Sequence, residues 1–202
     1  MRFAIHVSHL VVLILSALIM ITLFAILISG CPSLAQDNGP VAVEGFGADV
    51  PNLMSPRQEI YIGGQPTREG LLRLATLKIK TVLNLRPHEE NGARDESLET
   101  GRLGIKYVNI PLTINTFTLQ KMEDFRCLIK DNQNYPIFIH CKSGNRASGA
   151  WFVYRVLFED VSIPQALLEG KALGLEPALE PILMEFLRQA KQEKPKEICQ
   201  FQ

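Results

Sequence analysis

The stretch YPIFIHCKSGNRASGA, residues 135–150, determines how the rest of this chain is interpreted. Its first part, residues 136–139, is a short apolar run rich in β-branched and aromatic residues, which predicts a buried strand. His140, Cys141 and a polar loop follow, and residues 146–158 have the largely apolar character of a buried helix. A cysteine is therefore expected at a turn from a strand into a helix.

Such a turn suits a nucleophilic cysteine. The first backbone N–H groups of a helix have no partner within the helix, so they are able to converge on an anion. The same groups favour a thiolate at Cys141, and the planar guanidinium of Arg146 would bind two oxygens of an oxyanion. The alternative is a buried, inert cysteine with a surface arginine. The combination of His140, Cys141, a glycine-containing loop and Arg146 favours catalysis over that alternative.

Three segments of the chain, in this order, resemble one family. They are IGGQPT at residues 62–67, TVLNLRP at residues 81–87 and HCKSGNR at residues 140–146. Together they resemble the beta-lactamase-hydrolase-like phosphatase domains of the dual-specificity and tyrosine phosphatase superfamily, over residues 59–175. The resemblance implies a cysteine-phosphatase fold with Cys141 as the nucleophile and Arg146 as the phosphate clamp. It also implies a phosphate cradle made of Lys142, Ser143, Gly144 and Asn145.

Two features depart from the usual tyrosine phosphatase loop. Four residues rather than five separate Cys141 from Arg146, and Ala147 rather than a serine or threonine follows the arginine. A loop with four intervening residues also resembles rhodanese-type sulfurtransferases, in which the cysteine carries a persulfide. A sulfurtransferase is therefore the second hypothesis, and a catalytically idle module that binds anions or phosphopeptides is the third.

The general acid is a further open point. Cleavage of a phosphomonoester needs an acid that protonates the leaving oxygen. In tyrosine phosphatase relatives an aspartate after the third strand supplies it, but here the corresponding loop, residues 111–117, contains neither Asp nor Glu. The other candidates are Glu89, Glu90 and Asp95. Without any acid, the chain would act slowly except on substrates with good leaving groups, and sulfur transfer would be favoured.

Predicted strands and helices alternate along the chain. The strands are expected at residues 59–62, 80–85, 106–110 and 136–139, and the helices at residues 67–77, 93–103, 118–131, 146–158, 162–172 and 180–192. This alternation predicts an α/β fold with a mainly parallel sheet flanked by helices. The chemistry is expected where the loops after the strands meet, at the carboxyl ends of the strands.

An apolar segment opens the chain. Residues 10–28 are nearly all apolar, and no Asp, Glu, Lys or Arg occurs between Phe3 and Gln36. Residues 1–35 are therefore expected to be a targeting segment with one of three fates. It is a signal peptide cut after Ala35, a lipoprotein signal that places lipid on Cys31, or an uncleaved anchor. Each fate exports the domain to the periplasm or the cell surface, with attachment to the membrane preferred over release.

The composition of the chain predicts where the linker, the domain and the C-terminal tail lie. Residues 36–58 are rich in Gly, Pro and Asn and lack periodicity, so they are expected to be a linker. Residues 59–193 form the phosphatase-like domain, and residues 194–202 form a C-terminal tail. Cys127 falls in a helical pattern and is expected to be a small core residue.

Two partners are expected. One is a phosphorylated protein or small molecule as the substrate, and the other is the membrane, through the N-terminal segment. Basic and acidic residues number 21 each, which argues against a nucleic-acid partner. The four cysteines show no metal-binding spacing, so neither a metal nor another cofactor is expected.

Overall fold

The computed structural model describes residues 39–90, 93–113 and 115–193, and six strands form one sheet within them. They are β1 (Val41–Ala42), β2 (Met54–Arg57), β3 (Ile60–Gly63), β4 (Thr81–Asn84), β5 (Lys106–Asn109) and β6 (Ile137–His140). Their order across the sheet is β1-β2-β3-β6-β4-β5. The pairs β3–β6, β6–β4 and β4–β5 are parallel, whereas β1–β2 and β2–β3 are antiparallel. The sheet is therefore mixed, with a parallel part around β6.

The same residues contain six α-helices. They are α1 (Arg68–Thr76), α2 (Ala93–Arg102), α3 (Leu119–Lys130), α4 (Asn145–Phe158), α5 (Ile163–Ala172) and α6 (Glu180–Ala190). The side-chain oxygens of Thr67, Thr118 and Ser162 each accept a backbone N–H from the first turn of α1, α3 and α5, which caps these helices. The prediction of an α/β fold flanked by helices is confirmed.

Side chains that alternate along the strands divide the core into two layers. Tyr61, Phe138, Val82 and Tyr107 stand in one row across the parallel strands and belong to the cluster that includes Leu71 and Leu74 of α1. Their neighbours on the other face pack with α3, α4, α5 and α6. Because both faces are covered, all four residues of β6 are buried. The candidate loop therefore starts from a fixed strand end.

The first two strands correct the expectation that residues 36–58 are a linker. Both β1 and β2 lie in that range and extend the sheet beyond β3. Val50 and Leu53 are buried in the same cluster as α1. The composition conceals these strands because β1 has only two residues and β2 contains Pro56, a residue that sheets tolerate near their edges.

Several predictions fall on residues outside the described part of the chain. They concern the targeting segment at residues 1–35 and the C-terminal tail at residues 194–202, which carry Cys31 and Cys199. Within residues 39–193, as far as the structure describes them, no helix combines the length and the apolar character that crossing a membrane requires.

The two described cysteines differ in their bonding. Cys141 is a free, buried thiol. Cys127 on α3 lies in the core as expected and is in addition disulfide-bonded, which the sequence-based prediction did not include. A helical pattern reports which positions are buried, and Cys127 is only 7% exposed, but it carries no information on bonding.

Candidate active site

Cys141 follows directly after β6 and is only 1% exposed. Its Sγ accepts a hydrogen bond from the backbone N–H of Gly144 at 3.2 Å. Gly144 has a φ of +100°, which an L side chain rarely adopts, and it immediately precedes α4. The loop thus turns the chain back over the sulfur of Cys141.

The loop is held by the turn after β3 and by Asn52 in the segment before β2. The N–H of Gln65 donates to the carbonyl oxygen of Lys142 at 3.1 Å, and Asn52 Nδ2 donates to the carbonyl oxygen of Ser143 at 3.0 Å. A Cβ on Gly64 would lie 3.1 Å from the Lys142 oxygen, a tight contact, so the loop approaches this glycine closely. The IGGQPT segment therefore supports the loop through backbone contacts.

The other members of the predicted cradle differ in where their side chains lie. Lys142 and Ser143 are exposed at the rim. The Oδ1 of Asn145 accepts the N–H of Glu176 at 3.0 Å, so its side chain ties α4 to the segment before α6. Its backbone N–H, in the first turn of α4, is a candidate anion donor.

Ser148, one position later than the usual serine or threonine, is fully buried. Its hydroxyl lies 3.0 Å from the carbonyl oxygen of Gly144 and 2.7 Å from that of Leu173. It therefore links the loop to the end of α5.

Arg146 extends from the first turn of α4 to a carboxylate. Its two terminal nitrogens donate to Glu90 Oε1 at 2.8 Å and Oε2 at 3.0 Å, and one of them also donates to the carbonyl oxygen of Leu112 at 2.9 Å. Burial acts to lower the pKa of Arg146, but the hydrogen bonds to Glu90 and the adjacent Cys141 sulfur outweigh it and raise the pKa. Arg146 is thus a charged fork oriented before any ligand binds.

Glu90 also contacts a second arginine. Arg86 Nε donates to Glu90 Oε2 at 2.9 Å, so this oxygen is shared with Arg146. Burial acts to raise the pKa of Glu90, but hydrogen bonds from Arg146 and Arg86 lower it below its ordinary value. A carboxylate held in its charged form is a poor proton donor, so Glu90 in this arrangement does not suit the role of the general acid.

The other acid candidates receive no support from described contacts. Glu89 is exposed, and the side chain of Asp95 is not among the described ones. In the loop without acidic residues, the hydroxyls of Thr113 and Thr116 pair with each other at 3.0 Å.

A buried polar network beneath the loop escaped the sequence-based analysis. Gln65 accepts from an Arg86 terminal nitrogen and donates to Glu96 Oε1 at 3.0 Å, and Asn84 Nδ2 donates to Glu96 Oε2 at 2.9 Å. His140 Nε2 lies 3.1 Å from Glu96 Oε1, an ion-pair distance, although the angle is too bent for a hydrogen bond. The sequence offered one sign of this network: Asn84 and Arg86 are polar residues within an otherwise apolar strand segment, and buried polar groups need partners.

Residues 47–168, more than half of the chain, match the family described as a DSP-PTPase phosphatase fused to NAD+ kinase. A "Beta-lactamase hydrolase-like protein" from Agrobacterium fabrum is 30% identical over 94 residues, which cover 45% of this chain and 22% of that protein. The aligned part thus spans less than a quarter of that curated relative.

Solved structures share the fold. TpbA from P. aeruginosa superimposes with a TM-score of 0.60 at 19% identity, covering 77% of this chain and 91% of that one. A cysteine-to-serine variant of TpbA was solved in complex with pTyr. The catalytic core of the PP-IP phosphatase SIW14 from S. cerevisiae, in complex with citrate, gives a TM-score of 0.57 at 21% identity, covering 70% of this chain and 92% of that one. The resemblance inferred from the three sequence segments is confirmed by these matches.

Proposed function

Because the chain belongs to the DSP-PTPase phosphatase family, we propose that it hydrolyses phosphomonoesters through a phosphocysteine on Cys141. One observation carries this proposal. A free cysteine at the end of β6 accepts the N–H of Gly144, while Arg146 lies beside it in the first turn of α4. A nucleophile and an oxyanion clamp are thus combined in one loop.

In the first step the Cys141 thiolate attacks phosphorus, and an S–P bond forms as the bond to the leaving oxygen breaks. Arg146 and the backbone N–H groups of residues 142–146 hold the three terminal oxygens. In the second step water attacks the phosphocysteine, so phosphate leaves and the electron pair of the S–P bond returns to sulfur. Neither step requires a metal or another cofactor.

In the proposed mechanism, the ion pair between Glu90 and Arg146 must break before substrate binds. The carboxylate occupies both terminal nitrogens of Arg146, which are the donors that a phosphoryl group would use. In the structure the clamp is therefore closed by the carboxylate of Glu90.

The substrate class is drawn from the neighbours. A TpbA variant was solved with pTyr, and SIW14 is a PP-IP phosphatase. Both phosphorylated proteins and phosphorylated small molecules are therefore candidate substrates of this chain. The partner in this proposal is a phosphorylated protein or small molecule.

A sulfurtransferase is the second candidate. It is favoured by the four residues between Cys141 and Arg146 and by the absence of Asp and Glu from residues 111–117. In that reaction the Cys141 thiolate would attack the outer sulfur of a donor such as thiosulfate, and sulfite would leave as the S–S bond of thiosulfate breaks. A thiophilic acceptor would then take the outer sulfur from the persulfide and restore the thiolate.

Export to the periplasm or cell surface, with attachment through residues 1–35, is part of the proposal. It is supported by the apolar run at residues 10–28 and by the disulfide at Cys127, because disulfides persist in oxidising compartments. Fractionation of cells that produce the full chain tests it. Recovery in the cytosolic fraction with reduced Cys127 would contradict it.

Mass spectrometry of the full chain after brief incubation with p-nitrophenyl phosphate, and separately with thiosulfate, tests the function. The expected result is one phosphoryl group on Cys141 that is lost with time, and Cys141→Ser should neither gain it nor release nitrophenol. A sulfur adduct that cyanide removes would establish the sulfurtransferase instead. An unmodified Cys141 in both incubations would favour the third hypothesis, a module that binds anions or phosphopeptides without turnover.

A further inference from the structure

One face of α3 is covered from outside the apolar core. Cys127 is only 7% exposed, yet it belongs to neither of the two apolar clusters that the described residues form. Its neighbours Leu128 and Ile129 do belong to the first of these clusters. Glu123 lies one turn earlier on the same face as Cys127 and is 3% exposed. The cover over this face therefore comes from outside the two clusters.

The carboxylate of Glu123 has an incomplete set of partners. Its Oε2 accepts a hydrogen bond from Arg126 Nε at 2.6 Å, whereas its buried Oε1 has no hydrogen-bond partner among the described residues. A buried carboxylate oxygen without a donor is costly, so a segment that covers this face is expected to bring a donor with it. The occupant of the face should therefore carry a cysteine and a hydrogen-bond donor, preferably a cation.

The disulfide of Cys127 limits the choice of occupant. The chain has four cysteines and Cys141 is a free thiol, so the partner within the chain is Cys31 or Cys199. Cys31 fits the requirement poorly, because residues 3–36 contain neither Lys nor Arg. In two of the three fates expected for the targeting segment, Cys31 is also either cut away or modified by lipid.

The C-terminal tail meets both requirements. Residues 194–202, KPKEICQFQ, carry Lys196 shortly before Cys199. The tail follows α6, and α6 lies against the start of α3, where the rings of Phe186 and Phe117 have centroids 6.2 Å apart. The tail therefore leaves the described structure close to the helix that carries the disulfide.

The tail is also long enough to reach the disulfide. An extended chain spans about 3.3 Å per residue, so the segment from Ala190, the end of α6, to Cys199 reaches about 30 Å. Cys127 lies about 15 Å along α3 from Phe117, since a helix rises by about 1.5 Å per residue. The distance to be bridged is thus within the reach of the tail.

We propose that residues 194–202 dock on the face of α3 formed by Glu123 and Cys127, and that a disulfide between Cys127 and Cys199 locks them there. Lys196 is then placed to donate to the unpaired oxygen of Glu123. Formation of the bond removes two protons and two electrons from the two thiols. A disulfide oxidant takes them up as it is itself reduced to two thiols.

The docked tail fixes a helix that supports the candidate site. Lys121 in the first turn of α3 donates to the carbonyl oxygen of Pro111 at 2.5 Å, and the next carbonyl oxygen, that of Leu112, accepts from Arg146 at 2.9 Å. The same helix therefore carries the tail on one face and holds the loop that contacts the clamp.

Peptide mapping of the full chain tests the pairing. The oxidised protein is alkylated without reduction, unfolded and digested with trypsin. The expected product is the peptide of residues 127–130 joined to that of residues 197–202, and the two separate on reduction. The pairing would be overturned if Cys127 were alkylated, or joined to a peptide that contains Cys31 or to a second copy of itself.

Proteolysis of the folded protein tests the docking. Trypsin should cut after Lys196 at least about tenfold more slowly in the oxidised parent than in Cys199→Ser, because a free terminus enters a protease more readily than a docked one. Cys31→Ser is the matched control and should keep the protection of the parent. Equal rates in the parent and in Cys199→Ser would show that the disulfide merely tethers the tail, and the docking would be overturned.

Discussion

At the scale of single residues, Glu90 governs the state of the candidate clamp. Its carboxylate binds the two terminal nitrogens of Arg146 and the Nε of Arg86. Any anion that enters the loop has to compete with this internal carboxylate. The affinity of the site for phosphate is therefore the difference between two charge-assisted interactions.

Replacing Glu90 by glutamine should strengthen phosphate binding, because a neutral amide competes less well for the two arginines. The inhibition constant of inorganic phosphate against p-nitrophenyl phosphate hydrolysis is expected to fall by about tenfold, the equivalent of about 1.4 kcal/mol. Glu89→Gln is the matched control, since Glu89 is an exposed neighbour. Weaker inhibition by phosphate in Glu90→Gln would show instead that Glu90 holds Arg146 in a productive orientation.

The same substitution should have a pH-dependent effect on stability. The pKa of Glu90 is lowered, so its ion pairs contribute above the ordinary value of 4.5 and are lost as the pH falls through the lowered value. At pH 7, Glu90→Gln should reduce the free energy of unfolding by about 1 kcal/mol, a small figure because the side chain is partly exposed to solvent. Urea titrations at pH 7 and below the lowered pKa measure this difference. A deficit that persists at the acidic pH would contradict the charge-based explanation.

At the scale of elements, α1 depends on how closely it approaches the segment before β2. A Cβ on Gly70 would lie 2.1 Å from the carbonyl oxygen of Asp49 and 2.9 Å from Val50 Cγ2. The backbone of the 3-10 turn Gly47–Asp49 therefore packs directly on α1. This contact anchors the first two strands, which the composition of residues 36–58 did not reveal.

Two glycine-to-alanine substitutions test that contact. Gly70→Ala should destabilise the protein by about 2 kcal/mol, since α1 or residues 47–50 must move apart. Gly101→Ala on α2 meets nothing within 4 Å and should stabilise it by about 0.5 kcal/mol, because alanine restricts the unfolded chain. Thermal unfolding followed by circular dichroism distinguishes them. Equal effects of the two substitutions would contradict the close packing of α1.

At the scale of the whole molecule, the two described cysteines must tolerate the same environment. Cys127 is disulfide-bonded, whereas Cys141 is free and 1% exposed. Oxidants reach exposed thiolates most readily, so burial of Cys141 protects its free thiol from them. The fold thus combines a disulfide-bonded cysteine with a free, buried candidate nucleophile.

Reduction of the disulfide should therefore destabilise the protein. We expect the free energy of unfolding to fall by about 2–4 kcal/mol in the presence of a reductant. Cys127→Ala should unfold at a lower temperature than the parent and show no further response to the reductant. Calorimetry with and without the reductant measures both. A parent protein that is insensitive to reduction would contradict a stabilising role for Cys127.

The local features of this chain could be determined from its sequence. The strand before Cys141, the helix that starts near Arg146 and the alternation of strands with helices follow from the spacing of apolar residues over a few turns. The structure has α4 at Asn145–Phe158 and β6 at Ile137–His140, each displaced by one residue at its start from the predicted range. The three matched segments also carried the family resemblance, because their glycines and polar residues lie close together in sequence.

Only the tertiary structure decided which distant groups meet. Glu90 and Arg146 are 56 residues apart, and Gln65 and Glu96 are 31 apart, so no local pattern reports their contacts. The place of β1 and β2 in the sheet likewise depends on backbone pairing across a turn and on burial against α1. Local spacing shows which side chains face inwards, but the packing of the sheet and helices selects their partners. In this protein that selection placed Arg86 and Arg146 on the same carboxylate, that of Glu90.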